Sequence, residues 1–135
     1  MGFTKENKPN HIVKFVFNEP FTSSDMTELL QILSSLLDTN IPFAFFVDTR
    51  IANKPPFNAA SVLLKWMVAN KYRFKKGLIC SVVLFGSSVT NNIVSKLLKG
   101  VFLIQPTVSP NLLTSNSEEA ERWINAKVVE FYQKN

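Results

Sequence analysis

Apolar positions recur along this chain with a period that changes from segment to segment, and the changes mark its elements. Ile12-Val13-Lys14-Phe15-Val16-Phe17 is β-branched and aromatic with Pro20 just beyond it, which predicts a first strand. Thr22-Ser23-Ser24-Asp25 supplies capping groups, and Met26, Leu29, Leu30, Leu33, Leu36 and Leu37 then follow at the spacing of one helical face as far as Asn40. Phe43-Ala44-Phe45-Phe46-Val47 is apolar without alternation, the pattern of a strand covered on both faces. Lys54-Pro55-Pro56 cannot be helix interior. Asn58 can cap a second helix with Ala59, Leu63, Trp66, Met67, Asn70 and Phe74 as its buried stripe and Gly77 as its stop. Residues 78–85 repeat the doubly apolar strand pattern. A third helix is predicted from near Thr90 through Val94, Leu97, Leu98 and Val101 to about Ile104, with Pro106 ending it; the rival reading makes 101–104 a strand. Residues 111–114 form a short edge strand, and Ser115-Asn116-Ser117-Glu118 opens an amphipathic terminal helix on Ala120, Trp123, Ile124, Val128 and Phe131.

Strands alternating with helices imply an α/β fold: a single layer of four to five mostly parallel strands with helices on both faces. The chain divides into a flexible N-terminal segment, 1–10, and a single domain, 11–135. Ligands of such sheets bind beyond the C-terminal ends of the strands, where the strand order reverses. That edge holds Asp48, Thr49 and Arg50 after one strand and Gly86, Ser87, Ser88 and Thr90 after the next. Hydroxyls and free N–H groups there suit an anion, and Arg50 can add a bidentate contact. Helix capping accounts equally for Ser88 and Thr90, and loop fixing for Asp48.

Composition narrows the class. A chain of 135 residues with 46% hydrophobic residues, 4 Gly and 7 Pro is globular and not disordered or low-complexity. Its one cysteine, Cys80, lies in an apolar run, which suggests a buried thiol in a reducing compartment and makes the cytoplasm the expected location. The N-terminus has no apolar signal core, and no run reaches membrane length. Charge is segregated: no acidic residue lies between Asp48 and Glu118, so that stretch carries +9 within a net charge of +5. Lys65, Lys71, Arg73, Lys75 and Lys76 interleave with Tyr72 as a basic surface. Such a surface suits an acidic partner protein or an anionic lipid surface, whereas one cluster is thin support for nucleic acid. A homodimer is compatible with the chain.

Catalytic chemistry is poorly supplied. The only histidine, His11, precedes the first strand, at the edge away from the ligand crevice. Cys80 lacks an adjacent base, no His/Cys cluster suits a metal, and no phosphate-binding glycine loop follows a strand. The expectation is a protein without enzymatic activity, metal or cofactor.

The order of elements, the strand ending Phe45-Phe46-Val47-Asp48-Thr49-Arg50, and the ending Asn111-Leu112-Leu113-Thr114-Ser115-Asn116-Ser117-Glu118-Glu119-Ala120-Glu121-Arg122-Trp123-Ile124 together resemble a STAS domain, the sulphate-transporter and anti-sigma-factor-antagonist family. The similarity is greatest to the branch related to the divergent CRAL-TRIO lipid-binding fold and spans about residues 11–126. It implies a non-enzymatic regulatory switch that binds a partner protein, in some members after phosphorylation of a serine opening the helix after the central strand. Here Asn58-Ala59-Ala60-Ser61 falls on that segment, placing alanine at the phosphorylated position with Ser61 one step away. The CRAL-TRIO similarity implies the alternative of a small lipid or hydrophobic-anion binder, with Arg50 and Ser87 near a headgroup.

Overall fold

The computed structural model describes residues 2–18, 22–51, 62, 65–66, 68–84, 86 and 110–134. In chain order these form β1 (Phe3–Lys8), a 3-10 turn (Pro9–His11), β2 (Ile12–Phe17), α1 (Ser23–Asp38), β3 (Phe43–Asp48), α2 (Lys71–Gly77), β4 (Leu78–Leu84), β5 (Asn111–Thr114) and α3 (Ser117–Lys134). The strands lie side by side as β1-β2-β3-β4-β5. The first pair is antiparallel and each later pair parallel. The architecture is thus the expected α/β layer, and 111–114 is its far edge strand. The predicted third helix, and the rival strand at 101–104, lie outside the described residues.

Alternation of side chains along the strands divides the interior into two layers. On one face Val13, Phe15 and Phe43 meet Met26, Leu29, Leu30, Leu33 and Leu37 of α1, with Phe3 and Phe74 closing the layer. On the other, Ile12, Ala44, Phe46, Cys80, Val82 and Leu84 meet Ala120, Ile124 and Val128 of α3. Burial of each large side chain contributes about 1.5–3 kcal/mol, so these faces, more than helix propensity, hold α1 and α3 in place. Capping fixes where α1 starts: Asp25 donates its N–H to the Thr22 hydroxyl (3.2 Å), and Asp25 Oδ2 accepts the Thr22 N–H (2.8 Å). Asp25 Oδ1 also accepts the Gly2 N–H (2.9 Å), which ties the lead into β1 to the start of α1.

Three expectations need correction. Residues 1–10 do not form a lead outside the fold, because 3–8 pair with 12–17 as β1. Only Phe3 of that strand is buried, so the segment has almost no apolar signature to read. Among the described strands the order does not reverse, so they form no switch-point crevice of the kind expected at the C-terminal edge. Lastly, the helix predicted from Asn58 to Gly77 is interrupted: described residues 62, 65, 66, 68 and 69 are helical, Asn70 is a turn (φ −111°, ψ 17°), and α2 resumes at Lys71. Helical hydrogen bonding still crosses the break, with the Asn70 N–H donating to Trp66 O and the Phe74 N–H to Asn70 O, both at 3.1 Å. The start of that helix at Asn58 lies outside the described residues. Gly77 is the last residue of α2, as expected, and it packs closely: a Cβ there would sit 3.1 Å from Leu37 Cδ2.

Candidate functional site

Asp48 lies opposite Leu84 in neighbouring parallel strands, so the residues that follow β3 and β4 emerge on one rim. Thr49 seals the two ends together: its N–H (2.8 Å) and hydroxyl (3.1 Å) both donate to Leu84 O, and the residue is 1% exposed. Gly86 follows on the same rim, half-buried. Four further residues assigned to it, Ser61, Ser87, Ser88 and Thr90, lie outside the described residues.

Arg50 occupies this rim differently from expectation. Its guanidinium clamps its own neighbour, donating from Nε (3.0 Å) to Asp48 Oδ1 and from Nη2 (2.7 Å) to Asp48 Oδ2, while its N–H (3.0 Å) also reaches Oδ1. The fork proposed for an external anion is therefore closed on an internal carboxylate. Burial alone would raise the Asp48 pKa, but the Arg50 side-chain and backbone hydrogen bonds, with the positive charges of Arg50 and Lys14, hold it below the usual carboxylate range. The same hydrogen bond raises the Arg50 pKa, against the effect of burial. The two charges thus pair with each other at this rim, with the Arg50 side chain 45% exposed.

The basic surface divides in two. Arg73 turns inward to bridge α2 to α1, donating to Ser34 O (2.7 Å), Ser34 Oγ (3.1 Å), Asn70 Oδ1 (2.7 Å) and Asp38 Oδ1 (2.6 Å). It belongs to the scaffold, not to a free surface. Lys65, Lys71, Lys75 and Lys76 are exposed, and none of the four forms an ion pair among the described residues. Helical spacing places Lys65, Tyr72 and Lys76 along one line, with Val68 and Lys75 beside it and Lys71 on the flank. Trp66 and Phe74 project to the opposite side, where their rings stack edge to face at 5.3 Å against the α1 layer. Tyr72 is 80% exposed and Val68 55%. Val68 escaped the sequence reading because it is a single apolar residue outside the buried stripe, and only its exposure gives it meaning.

The opposite end of the sheet holds an open cleft of about 630 Å³, lined by Asn10, His11, Ile12, Leu36, Phe43 and Tyr132 among others. His11 lies at this edge as expected, 6.2 Å from the Tyr132 ring, and both Asn10 (φ 65°) and His11 (φ 60°) are left-handed. This shape follows from the tight connection between β1 and β2, where Asn is a common left-handed residue.

Cys80 is fully buried, and burial pushes its thiol up to about 12, against a small opposing effect of Lys127. Among the described residues, no group of three or more His, Cys, Asp or Glu side chains is placed to hold a metal ion, and no helix is long and apolar enough to cross a membrane. No protein-family model, curated protein or solved structure matches this chain.

Proposed function

We propose that this protein is a non-enzymatic interaction module of STAS-like type that docks through its lysine face onto a partner with a negative surface. The observation that carries the reading is the set Lys65, Lys71, Lys75 and Lys76: four exposed lysines close together in the chain, none forming an ion pair among the described residues, while the neighbouring Arg73 is committed to α1. Unpaired charge of one sign steers association and selects against partners of the same sign. Support for the STAS-like part of the reading comes from the order of elements and the parallel β2–β5 sheet.

A salt-titrated pull-down tests this, comparing the natural chain with a variant carrying Lys65→Glu, Lys71→Glu, Lys75→Glu and Lys76→Glu. The expected result is capture that weakens steeply with salt and is absent from the charge-reversed variant. The reading fails if the variant retains the same partners at the same salt.

A further inference from the structure

The lysine face has an apolar centre, which charge recognition alone does not require. Tyr72 stands between Lys65 and Lys76 on the helical line, and Val68 adjoins it; they are 80% and 55% exposed. Water-exposed valine and tyrosine side chains, ringed by long flexible cations, match the arrangement favoured at the boundary between lipid headgroups and acyl chains. There the aromatic ring lies at headgroup depth, the aliphatic group enters below it, and lysine stems lie along the surface with their ammonium groups on anionic lipid. From this juxtaposition we infer that the partner of the lysine face is a membrane leaflet rich in anionic lipid. The inference rests on the docking reading above and names the partner.

Charge complementarity favours an anionic surface: the segment from Thr49 to Ser117 contains no Asp or Glu, and Asp38 of α1, which adjoins α2, is paired with Arg73 at 2.6 Å. The binding expected is reversible and strongly salt-dependent, with about fivefold in partitioning contributed by each lysine near the surface.

The test uses the full chain with two kinds of vesicle, phosphatidylcholine alone and phosphatidylcholine mixed with phosphatidylserine. Co-sedimentation is expected with the mixed vesicles only, and the four lysine-to-glutamate changes are expected to abolish it. Tyr72→Ser combined with Val68→Ser leaves the net charge unchanged and is expected to weaken partitioning about tenfold, with melting temperature within a degree or two because both positions are exposed. A Tyr72→Trp variant is expected to be quenched by brominated lipid in the mixed vesicles. Equal binding to neutral vesicles would overturn the inference, as would full retention of binding by the double serine variant, which would leave charge as the sole determinant. If no vesicle is bound while salt-sensitive protein capture persists, the membrane assignment fails and the docking reading stands. If both are absent, the docking reading fails with it.

Discussion

At the residue scale, two buried carboxylates connect stability to pH. Asp25 accepts hydrogen bonds from the Thr22 and Gly2 N–H groups, and these lower its pKa against the opposing effect of burial. Asp48 is lowered by its Arg50 contacts, again against burial. A carboxylate whose folded pKa lies below its unfolded value stabilises the fold fully above the unfolded pKa, near 4, and loses that contribution as pH falls through the folded value. Denaturant melts are therefore expected to show constant stability at neutral pH and a decline below about pH 4. Asp48→Asn should cost about 1–3 kcal/mol at neutral pH and make that decline shallower, because its side chain is only 6% exposed and its hydrogen bonds are little screened. An acid limb identical in the two proteins would show that this carboxylate does not couple to folding.

At the scale of elements, Arg73 decides how α2 is held. Its contacts with Ser34 and Asp38 join α2 to α1. Arg73→Ala is expected to lower unfolding free energy by about 1–2 kcal/mol, whereas Lys75→Ala, at an exposed position, should stay within about 0.5 kcal/mol. Equal effects in urea melts would remove the distinction between scaffold and surface. Sequence patterning could not separate these two cations, because both lie in one basic run and only the docking angle of the helix sends one inward. It located α1, β2, β3, β4, β5 and α3 well, since each has a strong period, a cap or a doubly apolar run. It missed β1, whose residues 4–8 are all exposed and whose place in the sheet depends on backbone pairing and one buried phenylalanine. It also missed the Asp48–Arg50 clamp, although an aspartate two residues before an arginine at a strand exit is a local signal: the turn that brings the Arg50 N–H to Asp48 also brings its guanidinium there.

Across the whole molecule, protection should be graded across the sheet. β3 and β4 are covered on both faces, whereas β1 is an edge with a polar exterior. Amide hydrogen exchange followed by mass spectrometry is expected to be slowest in β3 and β4 and fastest in β1 among the strands. Equal protection of β1 would mean that the edge strand opens only with the whole fold. The lysines of α2 lie on the α1 side of the sheet, and α3 covers the other face.

Because the described strands lie in the same order in space as along the chain, each of them pairs with the described strand made just before it. Among these strands, assembly can advance from one side of the sheet to the other as the polypeptide leaves the ribosome. The apolar layer that α3 covers would be the last to close, which makes the final eighteen-residue helix the latch of the growing fold.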